Sequence, residues 1–359
     1  MSILGGILLF GVIGAGLTLL LQQKPNRSTQ ASSLEAKQPY VEIENPSGFL
    51  NTGMNSDGSA KPITLGELIG KKVILVDFMT YSCINCRRTF PHITAWYEKY
   101  KDKGLEIVGI HTPEFAFEKN IDNVRAAMKE AGITYPVVLD NDYGTWRAWG
   151  NQFWPRKYLI DINGNVVYDH IGEGAYEETE MKIRELLAER AKVLGENKIS
   201  LDQKLAASGI AVEKNTARSP ETYFGSSRNE YLANGTSGRA GAQTFMLPQA
   251  PVPNALYLGG MWNITPEYAE SVSDASVEYR YNAKEVYIVA DADTATAVEV
   301  LQDGKPVGAS GGADVGAGGT VTIKESRLYK FIRNLEPGAH TLQLKIKGKG
   351  LRFYAFTFG

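Results

Sequence analysis

The two cysteines of this 359-residue chain are the feature that most restricts how it can fold. They form the motif Cys83-Ile84-Asn85-Cys86, and the sequence contains no other cysteine. The motif directly follows the apolar, β-branched run from Lys72 to Thr80, which predicts a strand. We therefore expect a strand that delivers a dithiol to the start of a helix.

Both sulfurs have a chemical use at such a junction. The Cys83 sulfur would lie near the free N–H groups and the positive dipole end of the helix, which favours its thiolate form. We expect Cys83 to be the attacking thiolate. Two intervening residues place Cys86 one turn further on, close enough to form a disulfide and more shielded from solvent. Cys86 would be the resolving thiol, and the Cys83–Cys86 disulfide would be the redox group, with no other cofactor.

A zinc site is the main alternative for a C-x-x-C motif. Structural zinc needs four ligands, usually from a second pair at a recognisable spacing. No second cysteine pair exists, and no two of the four histidines form a spaced doublet: His92, His111, His170 and His340. Redox use is the usual reason for C-x-x-C beside a βαβ pattern, so the sequence predicts no metal site.

The surroundings of the dithiol resemble a known family. The segment from Val76 to Cys86 is similar to the active-site segment of thioredoxins, and most of all to the TlpA/DipZ group of membrane-linked thiol-disulfide oxidoreductases. The resemblance implies that Asp77 is the buried acid that shuttles the proton of the resolving cysteine. A strand-end Asp77 facing solvent is the alternative. Ser82 replaces the tryptophan of most thioredoxins, as in the DipZ-like subgroup, and we count it with the substrate-binding residues.

Two later segments carry further implied site residues. The segment from Phe153 to Asp161 resembles the one with the family's cis-proline, which would be Pro155, and the backbone of Trp154 would pair with an extended partner peptide. An ordinary trans proline after a core aromatic is the alternative. Glu114 stands where TlpA-like reductases carry a glutamate that faces the active site, and a surface-loop glutamate is the alternative there.

The direction of the redox reaction follows from what the motif lacks. The strongest oxidants of the superfamily have a histidine within the C-x-x-C, which stabilises the thiolate and hence the reduced form. That histidine is absent here, which favours a reductant or an isomerase. Arg87 and Arg88 add positive charge near the thiols, which modestly favours the oxidising direction. A peroxidase on the same fold is disfavoured because Thr80 and its neighbours lack the proline that precedes a peroxidatic cysteine.

The N-terminal residues predict a membrane anchor. The run from Ile3 to Leu21 consists of apolar or small residues without a charge, and as a helix it would be almost long enough to cross a bilayer. We expect an uncleaved anchor at 1–22, with a cleaved signal peptide as the alternative, and a flexible linker at 23–41. Lys24 and Arg27 would keep the rest in the cytoplasm by the positive-inside rule, but the resemblance implies domains facing the periplasm or cell exterior, which we expect.

The rest of the chain divides into two domains. We expect an α/β thioredoxin-like domain at 42–198, a short helix and linker at 199–222, and an all-β domain at 223–359 with separate strands such as Val277–Tyr281 and Glu285–Ala290. The segments Ser219–Gly225 and Tyr354–Gly359 resemble the C-terminal jelly-roll domain of DipZ, which is similar to carbohydrate-binding modules. Aromatic residues of this domain would form either a sugar-stacking platform or core packing: Trp262, Tyr268, Tyr279, Tyr281 and Tyr287.

These observations predict a membrane-anchored, extracytoplasmic thiol-disulfide oxidoreductase that reduces disulfides of partner proteins, as in cytochrome c maturation. DipZ begins with a CcdA-like electron-carrying membrane domain, and here one helix stands in its place, so we expect a separate CcdA-like donor. The alternative is an envelope protein that binds a glycan or a protein through its β-domain. A net charge of −2 without a basic patch excludes nucleic acid as a partner.

Overall fold

The computed structural model describes residues 38–196, 204–212 and 215–359. The predicted anchor at 1–22 and most of the predicted linker at 23–41 lie outside these residues. No helix among the described residues has the length and apolar character needed to cross a membrane. The last part of the predicted linker is wrong, because Gln38 and Pro39 form an edge strand that pairs with Val166 and Asn165.

The first half of the chain forms a seven-stranded sheet flanked by helices. The strands are β1 (Gln38–Pro39), β2 (Gly48–Leu50), β3 (Val73–Met79), β4 (Leu105–His111), β5 (Val137–Leu139), β6 (Arg156–Ile160) and β7 (Asn165–Ile171). Their order across the sheet is β1-β7-β6-β3-β4-β5-β2. The helices are α1 (Ile84–Tyr100), α2 (Ile121–Glu130), α3 (Gly144–Ala148) and α4 (Tyr176–Val193), with 3₁₀ turns at Lys101–Lys103 and Ala116–Lys119.

The central strand β3 explains the position of the dithiol. All seven of its residues are buried, as expected for a strand with packing on both faces. Alternate side chains enter two cores, with Leu75 on the side of Trp96 in α1 and Phe78 on the other side. Strand β3 runs parallel to β4 and antiparallel to β6. The chain leaves β3 and enters α1 within a few residues, as the sequence predicts.

The second half is built almost entirely of strands. They are β8 (Thr222–Tyr223), β9 (Gly241–Phe245), β10 (Leu256–Ile264), β11 (Ala269–Ala292), β12 (Thr296–Gln302), β13 (Lys305–Pro306), β14 (Thr320–Ile323), β15 (Arg327–Ile346) and β16 (Leu351–Phe358). Strand β11 pairs with β15 along most of its length. On its other edge, its first part pairs mainly with β10 and its second part pairs with β16. One long strand therefore contributes to two regions of the domain.

Two details of the sequence-based boundaries are wrong. Val277–Tyr281 and Glu285–Ala290 are not separate strands, because a register shift between Ala283 and Glu285 bends β11 without ending its pairing. The predicted short helix within 199–222 is also wrong in its described part, whereas residues 215–221 lie outside any helix or strand, as expected of a linker. Residues 204–212 form turns that pack on the first half, and Thr222 belongs to β8.

Candidate active site

The two thiols differ in exposure as expected. Cys83 is the N-cap of α1 with an extended backbone, and its side chain is partly exposed. Cys86 lies in the first turn of α1 and is fully buried. Burial and the neighbouring Cys83 raise the pKa of Cys86 well above the usual thiol value. Cys86 therefore needs a base before it can attack, whereas Cys83 is open to a partner.

The backbone of Trp154 lies beside the exposed sulfur. The Trp154–Pro155 peptide bond is cis, and the Cys83 Sγ lies 3.9 Å from the carbonyl oxygen of Trp154. The indole N–H of Trp154 donates to the carbonyl of Thr112 at 3.0 Å, and its ring packs 4.2 Å from that of Trp146. These contacts fix the Trp154 backbone where an extended peptide could pair with it.

Asp77 is fully buried in β3, so the solvent-facing alternative is wrong. Neither of its carboxylate oxygens has a hydrogen-bond partner among the described residues. Burial raises the pKa of Asp77 to about 7, although the positive charge of Lys157 acts against this increase. A carboxyl that titrates near neutral pH close to a buried thiol is suited to accept and return a proton.

Lys157 is a site residue that the sequence analysis missed. It stands directly opposite Asp77 in the register of β3 and β6 and is fully buried. Its Nζ donates to the carbonyl of Gly172 at 3.0 Å, and burial lowers its pKa to about 8. A lysine within an apolar strand was the available signal, but its pairing with Asp77 depends on the strand register, which the sequence did not provide.

Glu118 is a second residue that sequence reasoning missed. It is fully buried, and its Oε1 accepts hydrogen bonds from the hydroxyls of Thr80 and Ser82. Its Oε2 accepts from the backbone N–H groups of Glu114 and Phe115 at 2.6 and 3.0 Å. Burial raises the pKa of Glu118. Ser82 is itself buried, so its side chain supports the active-site loop and is not exposed to a substrate, contrary to our expectation.

Glu114 is held by the second half of the chain. Its Oε1 accepts from the hydroxyl of Tyr223 and the guanidinium of Arg228, each at 2.8 Å. The Tyr223 hydroxyl also contacts the Oε2 of Glu221 at 2.8 Å. Only 12% of the Glu114 side chain is exposed, so the surface-loop alternative is wrong. The structure thus places Glu114 in a polar cluster with the β-domain.

The β-domain also covers one side of the dithiol helix. Ile84, the residue after Cys83, packs in a hydrophobic cluster with Phe115 and with the β-domain residues Tyr287, Val289 and Leu328. Nearby, the Tyr81 hydroxyl donates to the carbonyl of Ser326 at 3.1 Å, and Arg88 forms an ion pair with Glu285 at 3.3 Å. Thus the β-domain forms part of the surroundings of the thiols.

The predicted sugar-stacking platform is not formed, because most of its aromatic side chains are buried. Trp262, Tyr279, Tyr281 and Tyr287 are each at most 1% exposed, so the core-packing alternative is confirmed for these four. Tyr268 alone among the five is partly exposed. Among the residues that the structure describes, no group of three or more histidine, cysteine, aspartate or glutamate side chains could hold a metal ion.

Comparison with known proteins matches both halves of the chain. The Redoxin family model matches residues 46–187, and the model described as "Thioredoxin like C-terminal domain" matches residues 219–359. Protein DipZ of Mycobacterium bovis is 36% identical over 94% of this chain and 45% of its own length. The thiol-disulfide oxidoreductase ResA of Halalkalibacterium halodurans is 31% identical over 38% of this chain and 73% of its own length.

The solved structures include a similar protein. A putative thiol:disulfide interchange protein DsbE from Chlorobium tepidum is 24% identical, with a TM-score of 0.36, over 43% of this chain and 99% of that chain. The chain spans less than half of the length of the DipZ protein that it matches. The relatives and family models confirm the predicted resemblance to the TlpA/DipZ group.

Proposed function

Because the chain belongs to the thioredoxin-like thiol-disulfide oxidoreductases, we propose that it reduces disulfides of partner proteins through Cys83 and Cys86. One observation carries this proposal. The Cys83 sulfur is accessible beside the Trp154 carbonyl, whereas the Cys86 sulfur is buried near a carboxyl that titrates close to neutral pH. This asymmetry suits two successive thiol exchanges.

The reaction starts with the Cys83 thiolate. It attacks one sulfur of the partner disulfide, a mixed disulfide forms, and the other partner sulfur leaves as a thiolate. Asp77 then accepts the proton of Cys86, and the Cys86 thiolate attacks the Cys83 sulfur. The partner leaves as a dithiol, with one proton returned from Asp77 and the other taken from solvent, and Cys83 and Cys86 remain as a disulfide. Two electrons have moved to the partner, so a donor must reduce the chain again.

The finer features of the family complete this proposal. We place the dithiol domain outside the cytoplasmic membrane, facing the periplasm or cell exterior, on an anchor formed by residues 1–22. Its electrons come from a CcdA-like transmembrane donor, and its partners are oxidised proteins of the cytochrome c maturation type. The uncharged run from Ile3 to Leu21 supports the anchor. The lack of a histidine within the C-x-x-C supports the reducing direction.

The β-domain has a supporting role in this proposal. We assign it a jelly-roll fold, as its resemblance to the DipZ C-terminal domain implies, and we assign it the docking of partner proteins. Its contacts with Ile84 and Glu114 support that role, because they place it next to the thiols. A glycan ligand has little support, because four of the five candidate aromatic residues are buried.

Trapping of mixed disulfides tests the proposed function. The Cys86→Ser variant retains the attacking thiol but cannot release the partner, so it should accumulate mixed disulfides through Cys83 with oxidised proteins. The matched control is the double variant Cys83→Ser/Cys86→Ser, which should trap nothing. Equal amounts of adduct in both variants, or none in either, would overturn the proposal.

The reduction potential tests the direction of the reaction. The Cys83–Cys86 couple of the full-length chain should equilibrate with dithiothreitol or glutathione buffers near thioredoxin's potential, at about −270 mV. A value between about −180 and −120 mV would instead identify an isomerase or an oxidant.

A further inference from the structure

A cavity of ≈240 Å³ lies beside the dithiol, between the two domains. Ile84 and Arg87 of α1 form one wall, and Tyr176 at the start of α4 forms another. Ile210, from the segment between the domains, and Lys330, from β15 of the β-domain, complete it. The cavity is therefore a composite site that neither domain could form alone.

The cavity is lined by cations without a lining carboxylate. Arg87, Arg88 and Lys330 contribute to its walls. Arg88 forms ion pairs with Glu173 at 3.5 Å and with Glu285 at 3.3 Å, and neither glutamate lines the cavity. Arg87 forms an ion pair with Glu130, whose side chain is 61% exposed, and such solvent-exposed pairs neutralise charge only weakly.

Lys330 is the cation with the most freedom to bind a ligand. It is exposed, and its Nζ forms no ion pair with a carboxylate among the described residues. Its Nζ lies over the Tyr287 ring, 5.9 Å from the ring centre. The ring of His92, also in the lining, stacks on Tyr176 at 3.5 Å, and burial lowers the pKa of His92 to about 4. His92 is therefore neutral at pH 7, and Lys330 is the lining cation without a carboxylate partner among the described residues.

The size and position of the cavity restrict its occupant. Pockets for cofactors and other small ligands usually have volumes of about 300–1,000 Å³, so this cavity suits one or two side chains of a protein. Ile84 follows Cys83 directly, and consecutive Cα atoms lie only about 3.8 Å apart. A partner that is joined to Cys83 through a mixed disulfide is therefore attached one residue away from the lining of the cavity.

We propose that this cavity is a partner-binding subsite that accepts an acidic side chain located near the partner's disulfide, with Lys330 as the β-domain's contribution to its recognition. The proposal rests on the proposed reduction of partner disulfides. It assigns the β-domain a direct part in selecting partners by charge.

Single-turnover kinetics with two peptides test this subsite. Each peptide carries one intramolecular disulfide, and the two differ only in a glutamate or a lysine two residues from one cysteine. The full-length chain, reduced beforehand and freed of reductant, is mixed with either peptide, and the reaction is quenched with acid and followed by mass spectrometry. One charge-assisted contact should make the second-order rate constant about tenfold larger for the glutamate peptide.

Charge variants of Lys330 locate the preference. Lys330→Glu should abolish or invert the preference, and Lys330→Gln should reduce it. Lys305→Glu is the matched control: it makes the same charge change at an exposed position of β13 outside the cavity lining, and it should retain the preference. The preference is a ratio of two rate constants measured with the same variant, so a change in reduction potential that affects both peptides alike does not alter it.

The outcomes separate this inference from the proposed function. If the reduced chain converts neither peptide, the proposed function itself fails. If it converts both peptides at equal rates, or if Lys305→Glu loses the preference as fully as Lys330→Glu, the subsite proposal is overturned and the proposed function stands.

Discussion

Asp77 and Lys157 face each other in register across strands β3 and β6, and both side chains are fully buried. Each lowers the cost of charge on the other, since the lysine opposes the rise in the pKa of Asp77 and the carboxyl opposes the fall in the pKa of Lys157. The pair is also coupled to the resolving thiol. Burial raises the pKa of Cys86 most, and the negative charge of Asp77 raises it further. Protonation of Asp77 and release of the partner should therefore be linked.

Replacing Asp77 by asparagine should slow the resolving step. With a pKa of about 7, the Asp77 carboxylate becomes available as a base as the pH rises through neutrality. In the wild-type chain, the rate at which Cys86 releases the partner should rise over the same range. In Asp77→Asn this rise should be lost, and the rate at pH 7 should fall at least about tenfold. Rapid acid quenching of a preformed mixed disulfide measures the step, and an unchanged pH profile in Asp77→Asn would contradict the assignment.

The same substitution should change the pH dependence of stability. The pKa of Asp77 is raised from 3.8 to about 7 in the folded state, so the folded chain binds a proton more tightly than the unfolded chain. Its contribution to stability is present below the unfolded pKa and is lost as the pH rises through the folded value. The free energy of unfolding of the wild-type chain should therefore decrease by roughly 3–5 kcal/mol between the two pKa values, and Asp77→Asn should lack this decrease. Urea denaturation at several pH values measures it, and a decrease of the same size in both proteins would exclude Asp77 as its source.

Replacing Lys157 by methionine should shift the pH profile of the resolving step. The positive charge of Lys157 lowers the pKa of Asp77, so its removal should raise that pKa above 7. The midpoint of the release rate should therefore move upward by about one pH unit. Lys157→Arg retains the charge and should leave the midpoint close to that of the wild type. A purely structural role for Lys157 would lower stability in Lys157→Met without moving the midpoint.

The residues of the thiol motif could be predicted because their signals are local. Cys83 and Cys86 follow a continuous apolar run, and the strand-to-helix junction needs only neighbouring residues. Lys157 and Glu118 could not be assigned in the same way. Lys157 matters because of the register between β3 and β6, and Glu118 matters because a loop folds back onto Ser82. Both depend on contacts between residues that are distant in the sequence.

The β-domain shows the same limit at a larger scale. The sequence indicated its strands. It did not indicate that two of them are one continuous strand, because the pairing continues past the register shift between Ala283 and Glu285. The aromatic residues could not be divided between surface and core from their spacing alone, and the buried position of Trp262 became clear only with the packing. The contact of Ile84 with the β-domain likewise depends on how two domains pack.

Replacing Glu118 by glutamine should destabilise the active-site loop. Both carboxylate oxygens of Glu118 accept hydrogen bonds, from Thr80 and Ser82 on one side and from the N–H groups of Glu114 and Phe115 on the other. A glutamine has a single accepting oxygen. Directed at Glu114 and Phe115, it leaves the N–H of Ser82 without an acceptor, and directed at Ser82 it leaves the two N–H groups of Glu114 and Phe115 without one. The free energy of unfolding should fall by roughly 1–3 kcal/mol, the cost of one unsatisfied buried donor. Urea denaturation measures this, with the exposed Glu178→Gln as the control that should change little.

The cluster of Glu114, Tyr223 and Glu221 predicts a pH-dependent contact between the domains. The Tyr223 hydroxyl lies 2.8 Å from an oxygen of each carboxyl group, but it has one proton and can donate to only one of them. The other contact needs a protonated carboxyl that donates to the Tyr223 oxygen. Desolvation of its carboxyl group and the nearby Glu114 raise the pKa of Glu221 from 4.5 to about 7, although the residue as a whole is exposed, so Glu221 is that group.

The sign of the effect follows from this raised pKa. The contact contributes stability below the unfolded pKa of Glu221 and loses it as the pH rises through about 7, because a second negative charge then faces Glu114. Hydrogen exchange of residues 113–118, corrected for intrinsic rates, should show protection that falls across this range. In Glu221→Gln the amide can still donate to Tyr223, so protection should stay constant. The exposed Glu336→Gln should behave like the wild type, and loss of protection in Glu221→Gln over the same pH range would show that another group titrates at this interface.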